Sequence, residues 1–211
     1  MGSSRAVGPA TRGYEAIVFD FDGTLTTPGH IDFAAIRSDI GCPAELSILA
    51  FIDTLSDTDR RSAKGILDAY EMDAASQVGP APGLEETVEY LKSHSIRMGI
   101  LTRNTLLAVR RSLERITCCK ESDFSSLITR DDNIPVKPDP AGVIETARRL
   151  GTKPDRVLVV GDYIYDIEAG RRAGATTVFL DALPDRHFAA PASDHVIGDL
   201  RSLTSILARY R

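Results

Sequence analysis

The chain is expected to fold as an α/β protein, a doubly wound parallel sheet of the Rossmann-like kind that carries a small all-helical insertion. Three observations predict this. Short apolar runs rich in β-branched residues alternate with stretches of helical spacing, the pattern of a parallel sheet covered on both faces. One long stretch near the N-terminus breaks the alternation and shows helical patterns only. Proline and glycine bracket that stretch, Pro28-Gly29 on one side and Gly79-Pro80-Ala81-Pro82-Gly83 on the other, which marks two hinges.

Taken in order, Ala16-Ile17-Val18-Phe19, Met98-Gly99-Ile100-Leu101, Val157-Leu158-Val159-Val160 and Thr176 to Leu180 read as buried strands, because strands covered on both faces are continuous apolar runs. Ser126-Leu127-Ile128 and His195-Val196-Ile197 are shorter strand candidates. Helical spacing is carried by Leu84/Val88/Leu91, Leu106/Val109/Arg110/Leu113, Val143/Ile144/Ala147/Leu150 and Leu200/Leu203/Ile206/Leu207. Inside the insertion, 31–40, 44–55 and 58–72 fit three helices, with Asp57 as the expected N-cap of the third, since its carboxylate can accept from the free amides of a first turn. The expected division is therefore a catalytic core over 14–27 plus 83–211, a helical cap over 28–82, and a disordered segment over 1–13.

At 211 residues the chain is long enough for one sizeable core and a small accessory unit. Its composition, 43% hydrophobic and 26% charged, is that of a globular protein. A net charge of −5 argues against a nucleic-acid partner, because such surfaces are basic. It leaves room for a small anionic substrate in a locally positive pocket. No apolar run approaches the roughly 20 residues of a membrane helix. Cys42, Cys118 and Cys119 are odd in number and lack metal-ligand spacing, so reduced thiols and a cytoplasmic setting are expected, with organellar import left open. A monomer or weak homodimer is the expected state.

Ligands of parallel α/β sheets bind beyond the carboxyl ends of the strands. At those ends this sequence places Asp20-Phe21-Asp22-Gly23-Thr24, then Thr102-Arg103-Asn104, then Gly161-Asp162 with Asp166 four residues on. Lys137-Pro138 stands before the helix that leads into the strand ending at Gly161. Each residue type suits phosphoryl transfer. A carboxylate at position 20 is a competent nucleophile towards phosphorus. Asp22, two residues on, can protonate a leaving oxygen and later deprotonate water. Asp20, Asp162 and Asp166 supply hard oxygen ligands for Mg2+, which offsets the repulsion among the acids and a phosphate dianion. Thr102 precedes a helix whose free amides would seat phosphate, with Asn104 as its cap. Lys137 is a point charge for the phosphoryl oxygens and for Asp20. Arg103 and Asn104 are candidate substrate contacts.

Taken singly, each feature has a plain structural reading. Asp-Xaa-Asp-Gly is commonly a turn, a threonine after a strand a cap, Lys-Pro a solvated loop, and Asp162…Asp166 an acidic helix start. Arg60 and Arg61 fit a solvated helix face, and His30 and His94 fit the surface. It is the set of four in order, each at a strand end or helix entry, that outweighs those readings.

That ordered set, Asp20-Phe21-Asp22-Gly23-Thr24, Thr102, Lys137 and Gly161-Asp162…Asp166, resembles the four motifs of the haloacid dehalogenase-like hydrolase superfamily, over nearly the whole chain from about Tyr14. The resemblance implies Asp20 as nucleophile, Asp22 as acid and base, and Thr102 and Lys137 as phosphate ligands. It further implies metal ligation by Asp20, the Asp22 main-chain oxygen and Asp162, with Asp166 close by or ligating through water. The insertion lies where that superfamily carries its helical cap, and Gly41-Cys42-Pro43 resembles a specificity loop. Tyr163 stands where many relatives have serine, and the cap is short. True dehalogenases of this superfamily generally lack an acid two residues after the nucleophile, so Asp22 favours phosphate chemistry. The implied activity is a magnesium-dependent phosphatase for a small phosphorylated metabolite, phosphoglycolate-like by analogy. A sugar phosphomutase of the β-phosphoglucomutase type is the enzymatic alternative, and an inactive binding scaffold the non-enzymatic one.

Overall fold

The computed structural model describes residues 13–182 and 192–210. The disorder expected over 1–13 therefore lies outside the described residues except at Gly13. Six parallel strands form one sheet: β1 (Ala16–Phe19), β2 (Arg97–Leu101), β3 (Phe124–Ile128), β4 (Val157–Gly161), β5 (Thr176–Leu180) and β6 (His195–Ile197). Their order is β3-β2-β1-β4-β5-β6. Both of the shorter strand candidates are present, as β3 and β6.

The helices outside the insertion are α4 (Leu84–Ser93), α5 (Leu106–Leu113), α6 (Ala141–Arg149), α7 (Ile164–Ala173) and α8 (Ser202–Arg209). They divide between the two faces as the period-2 alternation of β1 requires. Ile17 and Phe19 point into a core built with Leu84, Val88 and Leu91 of α4, Val109 of α5 and Leu203 of α8. Ala16 and Val18 point into a second core with Val143 and Ala147 of α6 and Ala169 of α7. All four β1 side chains are fully buried, which is why this strand reads as an unbroken apolar run.

The position of β1 decides where a ligand can sit. The chain passes from β1 to β2 on one side and later returns to β4 on the other, so the sheet order reverses at β1 and a crevice opens beyond its carboxyl end. The register pairs Phe19 with both Ile100 and Val160. Asp20, Leu101 and Gly161 therefore come level at one edge of the sheet.

The insertion consists of α1 (Phe33–Ile40), α2 (Ile48–Thr54) and α3 (Asp57–Ala75), which share a small core of Ile36, Cys42, Ile48, Ile52, Ala63 and Leu67. Several of the expected boundaries are corrected, beginning with the first helix, which starts at Phe33 rather than 31. The second helix starts at Ile48 rather than 44, because the Ser47 hydroxyl accepts from Ala50 N and caps it there. The N-cap of the third is Ser56, not Asp57: its hydroxyl accepts from Asp59 N, and Asp57 instead lies in the first turn. That helix also runs on to Ala75, beyond the expected end at 72. The two chain segments entering and leaving the insertion lie side by side, through Thr27 N to Gly79 O at 2.9 Å and Ala81 N to Leu25 O at 3.0 Å. α3 packs against α5.

All three cysteines are free thiols. Among the described residues no helix is long and apolar enough to cross a membrane.

Candidate active site

Beyond the carboxyl ends of β1, β2 and β4, a cavity of about 520 Å³ is lined by Asp20, Asp22, Thr102, Arg103, Asn104, Lys137, Asp162 and Asp166. All eight residues singled out from the sequence thus meet in one place.

Asp20 follows directly on β1, where its amide still pairs with Val160 O at 2.8 Å. Lys137 Nζ donates to Asp20 Oδ1, and at 2.6 Å to Asp166 Oδ1. The lysine side chain is 4% exposed, and burial works against its charge. The Asp166 and Asp20 carboxylates outweigh that and hold its pKa above the usual lysine value. The ammonium is therefore a fixed positive charge between two acids.

Asp166, on the first turn of α7, is almost fully buried. Its second oxygen accepts from Tyr163 N at 3.1 Å. Room for it is made by Gly161, where a Cβ would stand 2.3 Å from the Asp166 carboxyl. One oxygen each of Asp20, Asp162 and Asp166 lie within 4.8 Å of one another. Such an all-carboxylate set is the donor chemistry that magnesium prefers. Both Asp166 oxygens have protein partners, Lys137 and Tyr163.

The turn after Asp20 is built locally. Leu25 N returns to Phe21 O at 2.9 Å, and Gly23 N donates to Thr26 Oγ1 at 3.1 Å. Gly23 sits at φ +76°, and a Cβ there would come within 2.6 Å of Asp162 Oδ2, so glycine is required both for the turn and for the approach of Asp162. Asp22 emerges from this turn and accepts from Asn104 Nδ2 at 2.9 Å. Burial, with Asp20 and Glu71 nearby, pushes its pKa up to about 8, against the pull of Asn104 and Lys137. Asp22 is thus placed to hold a proton near neutral pH.

The loop after β2 corrects one expectation. Asn104 is not the cap of α5: that cap is Thr105, whose hydroxyl accepts from Ala108 N at 3.3 Å. Two of the first amides of α5 are already taken, Leu106 N by Asp131 Oδ2 at 2.8 Å and Ala108 N by the Thr105 hydroxyl. Asn104 spans the gap instead, accepting from Thr105 N through Oδ1 and donating to Asp22 through Nδ2. Thr102 is 3% exposed, and its hydroxyl accepts from Asn104 N at 3.1 Å. The Arg103 guanidinium lies 4.9 Å from the Tyr165 ring centroid, and its Nε has no hydrogen-bond partner among the described residues.

Two participants escape a reading of the sequence. Glu71 of α3 lines the cavity and is 5% exposed. It pairs with Arg130 from the loop after β3, which also pairs with Asp68. A signal does exist: Ala63, Leu67, Glu71 and Ala74 form the buried stripe of α3, and an acid on such a stripe needs a partner. Elsewhere the plain readings hold for Arg61 and His30, while Arg60 is half-buried and its Nε has no hydrogen-bond partner among the described residues. Arg60 and Arg61 bond to backbone oxygens of Asp53, Leu55 and Asp57 within the insertion. His94 stacks on Tyr90, with ring centroids 3.9 Å apart. His30 is exposed at the cavity rim. Tyr163 packs edge-on to Tyr165 at the cavity, 45% exposed.

Residues 17–180 match the family of haloacid dehalogenase-like hydrolases. An uncharacterized hydrolase of Saccharomyces cerevisiae is 32% identical over 195 residues, spanning 92% of this chain and 89% of its own length. The pyrophosphatase PpaX of Oceanobacillus iheyensis is 28% identical over 207 residues, spanning 90% and 95%. Among solved structures, a hydrolase from Pseudomonas syringae has the same fold with a TM-score of 0.77, at 23% identity and over 92% and 98% of the two chains. The profile match, the yeast relative and the strand-end acids converge on one assignment: this chain belongs to the haloacid dehalogenase-like hydrolases.

Proposed function

We propose that this chain is a magnesium-dependent phosphatase that hydrolyses a small organophosphate monoester through an aspartyl-phosphate on Asp20. The observation that carries the reading is the pairing of two carboxyls with opposite environments in one cavity. Asp20 is paired with the Lys137 ammonium, while Asp22, bonded to Asn104, is pushed up to about 8. An acid beside a fixed ammonium suits the nucleophile, and a buried acid that keeps its proton suits the general acid.

In this reading an Asp20 oxygen attacks phosphorus, and the bond to the leaving oxygen breaks as that oxygen takes the proton of Asp22. Asp22, now a carboxylate, removes a proton from water attacking the aspartyl-phosphate, and inorganic phosphate leaves with Asp20 restored. Thr102 and Lys137 bind the phosphoryl oxygens. Asp20, Asp162 and the Asp22 main-chain oxygen would hold magnesium, with Asp166 ligating directly or through water. The cation, when bound, neutralises charge between the carboxylates and the phosphoryl group. A protonated Asp22 matters most for an alkoxide leaving group, which favours an ester over the anhydride that the relative's name, pyrophosphatase, denotes.

The test is phosphate release from a panel of monoesters and pyrophosphate with magnesium, comparing wild type with Asp20→Asn. Turnover in wild type alone, abolished by a chelator, supports the reading, as does trapping by beryllium fluoride in wild type only. Equal and negligible turnover in both proteins overturns it. Glucose 1-phosphate converted to glucose 6-phosphate without phosphate release assigns the chain to the phosphomutases.

A further inference from the structure

The cavity that holds Asp20 is far larger than a phosphoryl group, and the insertion walls it with Ile31, Phe33, Ile48, Leu49, Leu67 and Val78. Its volume, about 520 Å³, lies in the range that encloses ligands well beyond a two-carbon acid.

Most of the polar side chains that the insertion and its connections add to this wall have partners within the protein. Arg37 Nη1 donates to Pro43 O at 2.8 Å and to Leu46 O at 2.7 Å, which ties it to the backbone of the loop between α1 and α2. The Ser47 hydroxyl accepts from Ala50 N and from Arg103 Nη2. Thr26 Oγ1 accepts from Gly23 N, and Thr27 Oγ1 accepts from Gly79 N. Glu71 is held by Arg130 and by Thr105 N. His30 alone stands exposed, at the rim. A polyhydroxylated leaving group would bury hydroxyls against a wall that the insertion builds largely from apolar side chains, a cost that an apolar group does not incur.

We propose that the preferred substrate is a phosphate monoester of an alcohol with a compact apolar body, branched or ringed, rather than a sugar phosphate or a phosphorylated short acid. This inference rests on the phosphatase reading above and deepens it. The phosphoryl group takes the acid- and lysine-lined floor, and the apolar body fills the space beneath α1 and α2.

Three esters of primary alcohols separate the outcomes while keeping the reactivity of the leaving oxygen comparable: 2-phenylethyl phosphate, glucose 6-phosphate and phosphoglycolate. With magnesium, kcat/KM for 2-phenylethyl phosphate is expected to exceed both others by roughly tenfold or more. Phe33 is 55% exposed, so its replacement does not threaten the fold. Phe33→Ser should shrink that preference about threefold or more, through KM rather than kcat. Preference under about threefold over either hydrophilic ester overturns the inference and leaves the phosphatase reading intact. So does a preference that Phe33→Ser fails to change. Turnover of none of the three above the Asp20→Asn background overturns the phosphatase reading, and this inference with it.

Discussion

The side-chain amide of Asn104 donates to Asp22 Oδ2 at 2.9 Å, joining loops that are 82 residues apart in the chain. The amide cannot turn over freely, because its oxygen is held by Thr105 N at 2.9 Å. The bond both aims the Asp22 carboxyl and favours its charged form, which places Asn104 among the groups that lower the Asp22 pKa from where burial drives it.

Replacing Asn104 with Ala should accordingly lower kcat about tenfold, the scale of a misplaced acid–base group. It should also raise the Asp22 pKa further. The acid form persists to higher pH when the pKa rises, so the alkaline limb of the kcat profile moves up. A pH profile of Asn104→Ala beside wild type checks both. An unshifted limb separates Asn104 from the titration of Asp22.

Glu71 has a pKa pushed up to about 7 by burial, against the Arg130 charge, from an ordinary value of 4.5. Between those two values the folded chain keeps a proton that the unfolded chain has released. Rising pH therefore weakens the fold through this window, and the loss is complete above about pH 7. Glu71→Gln cannot titrate. Relative to wild type, the variant should gain stability as pH rises from 5 to 8, read as the difference between urea midpoints. Parallel midpoints across that range sink the assignment.

Gly23 leaves 2.6 Å between a hypothetical Cβ and Asp162 Oδ2, at a positive φ. Gly23→Ala should push Asp162 away from Asp20. The magnesium concentration for half-maximal activity should then rise about tenfold, the scale of lost support for a metal ligand. Titration of activity with magnesium measures it. Stability should fall by about 1 kcal/mol as well, from an alanine held at positive φ.

Lys137 balances two buried carboxylates, and the side chains of Lys137, Asp20 and Asp166 are 4%, 12% and 3% exposed. Lys137→Met should cost about 3 to 5 kcal/mol, because it leaves buried charge uncompensated. Magnesium should recover part of this by restoring a positive charge beside Asp20. Thermal unfolding with and without magnesium would show a larger metal-induced rise in Lys137→Met than in wild type. An equal rise in both argues against the cation sitting beside these acids.

The sequence by itself determined whatever is written locally. β1 is legible because four consecutive apolar residues face two cores, and Asp20 is legible because it is the first polar residue after them. Asp22, Thr102, Lys137, Asp162 and Asp166 follow from the same rule: a parallel sheet gathers its strand ends, so residues distant in the chain become neighbours without any contact having to be known. Tertiary structure alone decided the partnerships. Asn104 reads as a helix cap until Asp22 is brought to it across the crevice. The amides of α5 read as a phosphate seat until Asp131 closes on one of them. Glu71 and Arg130, 59 residues apart, meet only because α3 packs over the loops after β2 and β3. Apolar side chains of α1 and α2 line the same cavity as Asp20. Hydrophobic periodicity shows that a helix has an apolar face. Only the folded chain shows whether that face closes on a core or is left to line a substrate's path.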